Sequence, residues 1–267
     1  MNKRILIAGL STLFVSLAAW NYFSIPLQPD WTDEQRQLLA SLSLSALPEL
    51  PADPSNTVAD SELAAELGHA LYFDTRLSGN GSVSCATCHK PELMFTDGLS
   101  LAVGTNIGPR HTPSLVGIAY SPWFYWDGRK DSQWSQALAP IETSHEHNTD
   151  RLSVTRIVAE DDRYRDLYKS VFGSIPTIPL RPVSATPLGN EPQRTAWSEL
   201  SPAQQKDVNQ VFSNVGKAIA AYQRKIIPGR SRFDEYIDTL GQSSSCLLYT
   251  SDAADEGLGV DLGGRRI

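Results

Sequence analysis

Apolar residues recur at helical spacing in several stretches of this sequence, and these stretches alternate with segments that carry no such pattern. The capping box Thr32–Gln35 predicts the start of a short helix, whose apolar side is Leu38, Leu39 and Leu42. Asp60 is expected to cap a second helix that ends near Phe73. The apolar positions of this second helix are Leu63, Leu67, Ala70 and Leu71. The proline-rich residues 46–59 between them are predicted to be a linker.

Two further helical patterns follow in the second half of the chain. One helix is expected to stop at Gly173, after a stripe made by Tyr164, Leu167, Tyr168, Val171 and Phe172. The capping signal Ser201–Gln204 predicts the start of a longer helix, which Pro228 should close. Its stripe consists of Val208, Val211, Phe212, Val215, Ile219, Tyr222 and Ile226. Residues 174–194 between them carry five prolines and are predicted to be an extended excursion on the surface.

Residues 90–150 show little helical periodicity and are rich in Gly, Pro, aromatic and polar residues, which is expected of irregular backbone around a cofactor. Regular structure should resume at Arg151. The aromatic residues of this stretch are too apolar to leave in water and are expected to be covered. They are Trp123, Phe124, Tyr125, Trp126 and Trp134. Since no parallel-strand units and no repeats are visible, the fold class is predicted to be all-α.

The first residues resemble an export segment. Lys3 and Arg4 precede an uncharged apolar run, residues 5–23, which is typical of an export signal. The run is nearly long enough to span a bilayer, so residues 1–24 are expected to be either a signal peptide or an N-terminal membrane anchor that tethers the protein. Both interpretations predict a periplasmic protein.

The strongest chemical signal is the motif Cys85–His89, Cys-Ala-Thr-Cys-His. Two thiols three positions apart can each bond to a haem vinyl group, and the adjoining imidazole can ligate the iron. A thioredoxin-like redox pair or half of a zinc site would be the alternatives. Turn-forming residues rather than a buried strand precede Cys85, and no second Cys-x-x-Cys completes a zinc site. We therefore expect one covalent c-type haem, held by Cys85, Cys88 and His89.

Composition narrows the function classes further. The formal net charge of -7 argues against a nucleic-acid-binding surface, as does the lack of Lys/Arg clusters interleaved with aromatic residues. Of the three cysteines, only Cys246 lies outside the motif, so no disulfide framework is expected. Cys246 falls in residues 243–267, which match no helix or cap pattern and are expected to be a non-native or disordered tail.

Several ordered blocks resemble the bacterial di-haem cytochrome c peroxidase family, which includes the MauG-type enzymes. The blocks are Leu71–Ser78, Cys85–His89, Phe95–Gly98, Pro109–Leu115 and Phe124–Arg129. The resemblance implies a cytochrome c-like haem domain over residues 60–242, with long irregular loops around the haem, after a linker with a short helix at 25–59. It also implies a second haem domain, which this chain lacks and which we expect to have been lost by truncation.

Carried over by position, the resemblance assigns roles to individual residues. His89 matches the proximal iron ligand. Gln136, Pro140 and Glu146 match the distal Gln, Pro and acid/base Glu, and splitting an iron-bound peroxide needs such a base to move a proton between its oxygens. Trp126 matches the tryptophan between the two haems, although core packing is an equal alternative for it. Asp127 and Arg129 are expected to fix this turn by ion pairing rather than to take part in the reaction.

Two departures from the family pattern affect these expectations. No His lies near Thr105 or Asn106, where some peroxidases carry the residue that closes the distal side, and this favours an open site as in MauG-type members. His111 replaces the Asn of the family's calcium site, so calcium is doubtful. His145 and His147 are expected to be solvated neighbours of Glu146 that could tune it or bind metal.

The expected function is reduction of hydrogen peroxide with electrons from a small cytochrome or cupredoxin. A MauG-type oxidase acting on a protein or small-molecule donor is the alternative, and a simple electron carrier is the non-enzymatic one. A carrier would want a Met or His as second axial ligand. Met94 is the only internal methionine, and its position shortly after His89 makes it a poor candidate.

Overall fold

A computed structural model describes residues 31–240. The predicted export segment and the predicted tail with Cys246 lie outside these residues. The described part contains nine α-helices and isolated β-bridges but no β-strand, which confirms the all-α class. In chain order the helices are α1 Asp33–Ser41, α2 Glu62–Tyr72, α3 Cys85–Cys88, α4 Gln133–Glu142, α5 Arg151–Glu160, α6 Asp162–Phe172, α7 Glu191–Glu199, α8 Pro202–Gln223 and α9 Arg232–Thr239. No helix within residues 31–240 has the length and apolarity needed to cross a bilayer.

The chain divides into two compact units, of which the smaller contains α1 and α9. The capping box at Thr32 forms as the sequence predicts. Within this unit the Trp31 indole donates a hydrogen bond to the Tyr236 hydroxyl at 2.6 Å, and the Leu44 amide donates to the Asp234 carboxylate at 2.5 Å. Leu38, on the expected apolar side of α1, is exposed.

The larger unit spans Glu49–Pro228 and is built around the packing of α2 on α8. At Gly68 the two helix backbones touch, since an added Cβ would lie 1.9 Å from the Ala218 carbonyl oxygen. Leu67 and Leu71 are fully buried beside this contact, as are Val215 and Ile219 of α8. The core therefore forms along the two stripes that the sequence predicts, and α4, α5 and α6 complete it.

Helix boundaries differ from expectation at two places. Ser61, not Asp60, caps α2, because the Ser61 hydroxyl accepts the Ala64 amide at 3.3 Å while Asp60 pairs with the Arg224 guanidinium at 2.8 Å. The long helix α8 ends at Gln223 rather than at Pro228. The amides of Lys225 and Ile226, just after the helix, donate to carbonyls three residues back, which is a tighter turn than that of an α-helix.

Two helices lie where irregular structure was expected. The helix α7 begins inside the predicted proline-rich excursion, because Asn190 and Gln193 form a reciprocal capping box. The helix α4 lies inside the irregular stretch 90–150. Its buried face is narrow and begins with a polar residue, Gln133, whose amide donates to the buried Gln223 at 3.1 Å. A polar residue at a buried position removes the apolar periodicity from which a helix is predicted.

The excursion itself is anchored rather than free on the surface. Ala185 and Thr186 are fully or almost fully buried, which contradicts the expected surface position. The Arg156 guanidinium of α5 donates to the carbonyl oxygens of Pro179 at 2.6 and 2.8 Å and of Val183 at 2.7 Å, and it also binds the Pro182 carbonyl. One half-buried side chain thus binds the main chain of the segment at three residues.

The linker preceding α2 is also fastened, in its second half, to the larger unit. The Asn56 amide donates to the Lys217 carbonyl at 3.1 Å, and the Trp134 indole donates to the Ser55 hydroxyl at 2.9 Å. Arg224 adds a bond to the Pro51 carbonyl at 3.0 Å. Residues 49–59 consequently pack as part of the compact unit that contains the candidate site.

Candidate active site

A cavity of about 530 Å³ lies in the larger unit, with more apolar than polar surface. Such a volume and lining suit a small molecule or an organic cofactor. All the site residues predicted from the sequence line this cavity: Cys85, Cys88, His89, Trp126, Gln136, Pro140 and Glu146. We call residues 84–89 the attachment wall. The acid wall consists of Gln136 and Pro140 on α4 together with the loop 143–148, which carries Glu146.

The attachment wall is a single helical turn with local bonds. Thr87 and Ser84 cap the turn reciprocally, and the Ser84 amide lies 2.9 Å from the Thr87 hydroxyl. The spacing of Cys85 and Cys88 places both thiols on one side of that turn. Both cysteines are free, and burial raises the pKa of the Cys85 thiol to about 12. The Cys88 thiol is also shifted to a higher pKa by burial, so both are protonated at neutral pH.

The imidazole of His89 has a defined tautomer. Its Nδ1 lies 3.0 Å from the Phe95 carbonyl oxygen, which can only accept, so Nδ1 carries the hydrogen and the Nε2 lone pair is available to a metal. Met94 and Phe95 have φ of 55° and 59°, and these left-handed residues turn the chain back toward the imidazole. Burial lowers the pKa of His89, which keeps the ring neutral and able to ligate.

The acid wall is held by bonds from residues distant in sequence. The Thr105 amide donates to the Glu146 carbonyl at 2.9 Å, and the Gly79 amide donates to the His147 carbonyl at 2.9 Å. Gly104 lies so close that an added Cβ would be 2.6 Å from the His145 carbonyl oxygen and 2.8 Å from the Glu146 Cα. The backbone on both sides of Glu146 is therefore fixed by two separate segments.

The Glu146 carboxyl is partly buried, and this burial raises its pKa. His145, whose Nε2 lies 3.6 Å from a Glu146 oxygen, and Arg129 act in the opposite direction and limit the rise. A carboxyl with a raised pKa exchanges protons more readily near neutral pH than an ordinary surface glutamate.

The two histidines beside Glu146 differ from expectation. His147 is 3% exposed, so the prediction of a solvated pair is wrong for it. Its Nδ1 donates to the Leu77 carbonyl oxygen at 2.8 Å, and burial lowers its pKa. His145 remains half-buried at the cavity wall. The burial of His147 depends on Leu77, far away in the sequence, and no local pattern could have indicated it.

The aromatic stretch lines the cavity instead of filling a core. Phe124 is buried as expected, but Trp123 is 64% exposed and Trp126 is 91% exposed, so the expectation that they are covered is wrong. Both line the cavity, and an apolar side chain at a cavity wall lacks protein neighbours on one side. The predicted ion pair forms, with the Arg129 guanidinium 2.8 Å from the Asp127 carboxylate.

Tyr125 was not predicted to be a site residue, yet its position is unusual. It has φ of 66°, which is rare for a bulky residue, and the Arg129 guanidinium lies 3.5 Å from the centre of its ring. Burial raises the pKa of the Tyr125 phenol, and an interaction with Gln136 lowers it in part. The phenol therefore lies against the acid wall.

These residues fit a covalent haem. The attachment wall presents two protonated thiols and a neutral imidazole to one cavity, and the acid wall presents an amide and a carboxyl to the same cavity. Met94 is 64% exposed and does not line the cavity. Within residues 31–240, no three His, Cys, Asp or Glu side chains come together in a way that could hold a bare metal ion.

An all-α unit with this motif at the wall of a cavity defines a cytochrome c-like haem domain. Residues 62–242 match the sequence profile described as "Di-haem cytochrome c peroxidase", and the chain belongs to this family, whose cofactor is haem c. It is 34% identical over 217 residues to the "Methylamine utilization protein MauG" of Methylorubrum extorquens, covering 80% of this chain and 51% of that protein. It is 28% identical over 219 residues to the "Cytochrome c551 peroxidase" of Pseudomonas aeruginosa, covering 80% and 53%.

The solved structures agree with this fold. The structure of "a MauG-like protein associated with microbial copper homeostasis" aligns with a TM-score of 0.51 and 25% identity, over 73% of this chain and 50% of that one. The diheme peroxidase BthA from Burkholderia thailandensis aligns with a TM-score of 0.50 and 21% identity, over 70% and 43%. The chain thus spans about half the length of the relatives it matches.

Proposed function

We propose that this chain is the peroxide-reacting haem domain of a periplasmic di-haem peroxidase. The complete protein would reduce hydrogen peroxide to two water molecules with two electrons from a small cytochrome or cupredoxin. One observation carries the proposal: His89 and Glu146 line the same cavity, one on the attachment wall and the other on the acid wall. A ligand for iron and a proton-exchanging group at one cavity are the two requirements of peroxide cleavage.

The attachment wall would hold one haem. Cys85 and Cys88 would form the thioether bonds, and Nε2 of His89 would ligate the iron. When bound, the haem supplies the redox chemistry by which peroxide is reduced. A second haem would belong to the remaining half of the complete protein, and calcium forms no part of the proposal.

The acid wall would move one proton. The Glu146 carboxylate takes a proton from one oxygen of the peroxide and returns it to the other, which leaves as water. The Gln136 amide can donate a hydrogen bond to the same oxygens but cannot exchange a proton at neutral pH. Pro140 shapes the wall, and the anchored backbone of residues 145–147 fixes the position of the carboxyl.

Oxidation of a protein or small-molecule donor, as in MauG-type enzymes, is the second candidate. The identity to the MauG of Methylorubrum extorquens, 34%, exceeds the 28% to the peroxidase of Pseudomonas aeruginosa over stretches of similar length. An electron carrier is disfavoured, because Met94 lies exposed and away from the cavity.

A single-turnover experiment tests the peroxidase proposal. The full chain, matured with covalent haem, is mixed with a single equivalent of hydrogen peroxide, and the remaining peroxide is measured. We expect rapid consumption, whereas a cytochrome c with both axial positions filled should consume little. Equal, slow loss in both samples, together with a low-spin spectrum that resists cyanide, would support an electron carrier instead.

A further inference from the structure

Four aromatic rings form a continuous cluster between α2 and α8. We call His69, Tyr72, Phe73 and Tyr222 the ring cluster. The centroid of Tyr72 lies 5.1 Å from that of Tyr222 and 5.1 Å from that of Phe73. The centroid of His69 lies 5.0 Å from Tyr222 and 4.9 Å from Phe73. Each ring therefore contacts at least two of the others at van der Waals distance.

The inner end of the ring cluster touches the attachment wall. Tyr72 is fully buried, and its hydroxyl donates a hydrogen bond to the His89 carbonyl oxygen at 2.8 Å. Burial, together with the proximity of Cys85 and Cys88, raises the pKa of this phenol above its ordinary range. The Tyr72 ring thus lies directly behind the segment that holds the proposed haem.

The outer end of the ring cluster reaches solvent. Phe73 is 41% exposed, His69 is exposed, and Tyr222 is half-buried. Burial raises the pKa of the Tyr222 phenol, but water has access to it. A phenol that loses an electron must also lose its proton. Tyr222 can release that proton to solvent, whereas Tyr72 donates its only hydrogen to a carbonyl that cannot take it.

Packing of α2 on α8 does not by itself require two phenols here, since two phenylalanines would fill nearly the same volume. Other buried tyrosines of the unit have different surroundings. Tyr168 of α6 contacts the ring of Phe172 and the Asn214 amide, and it has no contact with the ring cluster. The contact to His89 and the solvent-exposed end distinguish the ring cluster from ordinary core packing.

We propose that the ring cluster is an electron-transfer route by which a small phenol or hydroquinone at the surface reduces the peroxide-oxidised haem site. This inference rests on the proposed function. Tyr222 passes one electron inward across the Tyr72 ring, which keeps its proton and is not itself oxidised, and releases one proton to solvent. The bound reductant then returns one electron and one proton to Tyr222. Two such transfers convert one hydroquinone to quinone, and their two electrons and two protons reduce one hydrogen peroxide to two water molecules. The ring centroids of Tyr222 and Tyr72 lie 5.1 Å apart, which is a short gap for electron transfer.

The test uses the full haem-loaded chain and the variant Tyr222→Phe, with Tyr168→Phe as the matched control. After mixing with peroxide, freeze-quench electron paramagnetic resonance should show a tyrosyl radical in the wild type and in the control. In Tyr222→Phe we expect this signal and the rate of hydroquinone oxidation to fall at least about five-fold, while the initial reaction with peroxide changes less than about two-fold.

The outcomes separate the route from the proposed function. A wild-type chain that does not react with peroxide would overturn both. A chain that reacts normally, but whose radical yield and hydroquinone oxidation are the same in Tyr222→Phe and Tyr168→Phe, would overturn the electron-transfer route alone.

Discussion

The two walls of the cavity are built in different ways. The backbone turn of the attachment wall is closed by hydrogen bonds within residues 84–89, although His89 also bonds to Tyr72 and Phe95. The acid wall obtains much of its geometry from remote segments, since Thr105 binds the Glu146 carbonyl and Gly79 binds the His147 carbonyl. Local bonds thus set the path of the attachment turn. The acid wall depends on close packing of three segments, and small changes far from Glu146 can therefore move its carboxyl.

The largest effect should follow from breaking the attachment wall alone. In the double variant Cys85→Ser, Cys88→Ser no thioether can form, so haem that survives acid extraction should disappear completely. Because Cys85 packs against the core, circular dichroism should accompany the measurement and is expected to show that the helical content is retained. Covalent haem in the double variant would show that the motif is not the attachment site.

The next largest effect should come from the carboxyl of the acid wall. Glu146→Gln keeps the shape but removes the exchangeable proton, so the reaction of the haem-loaded chain with peroxide should slow by roughly 10² to 10⁴. Cyanide affinity and haem content should stay unchanged. Rapid-mixing spectroscopy measures the rate. Glu92→Gln is the matched control, since Glu92 is exposed and does not line the cavity.

An unaltered rate in Glu146→Gln would break the proposed role of the acid wall. If His145→Ala or His147→Ala lost the activity instead, the acid/base role would pass to that histidine.

A smaller effect should follow from moving the acid wall without changing its chemistry. Gly104→Ala places a methyl group against the backbone of His145 and Glu146. Such overpacking typically costs about 1–3 kcal/mol, and we expect this loss in urea unfolding together with a roughly ten-fold slower peroxide reaction. Gly229→Ala is the control, because no heavy atom lies within 4 Å of its added Cβ. Equal stability and equal rates in both variants would show that the acid wall tolerates displacement.

The smallest effect concerns pH. Burial raises the pKa of Glu146 above its ordinary value of 4.5, so the folded chain holds this proton more tightly than the unfolded chain. Stability should therefore fall as pH rises from the ordinary to the raised pKa, and stay lower above it. Because Glu146→Gln lacks this proton, its unfolding free energy relative to wild type should increase between about pH 4 and pH 8. A difference that stays constant across urea titrations at these pH values would contradict the raised pKa.

The same contrast explains what could be predicted from the sequence. The motif Cys85–His89 is contiguous and forms its own turn, so both its chemistry and its local geometry can be predicted from the sequence. Resemblance to the family indicated Glu146, yet the surroundings of Glu146 were not predicted. The burial of His147 depends on the Leu77 carbonyl, and the close approach of Gly104 depends on the path of another loop. Neither of these long-range contacts produces a periodic pattern in the sequence.

The same difference between local and long-range contacts explains which parts of the fold were predicted. The paired stripes of α2 and α8 were predicted because apolar residues at helical spacing bury one face. The helix α4 was missed because its buried face includes Gln133, which is satisfied by Gln223 from another helix. The apolar character of Trp126 led to the wrong prediction that it is covered. This side chain lies at the wall of a cavity and is exposed.

The binding of the segment 174–190 by Arg156 has a consequence for how this region can change. The guanidinium binds only carbonyl oxygens, at Pro179, Pro182 and Val183, and every amino acid supplies that same acceptor. The bonds from Arg156 therefore do not depend on which side chains these residues carry. Substitutions along the exposed side of the segment can accumulate without loosening it, whereas Arg156 itself has no equivalent replacement, because lysine cannot offer the same fork of donors.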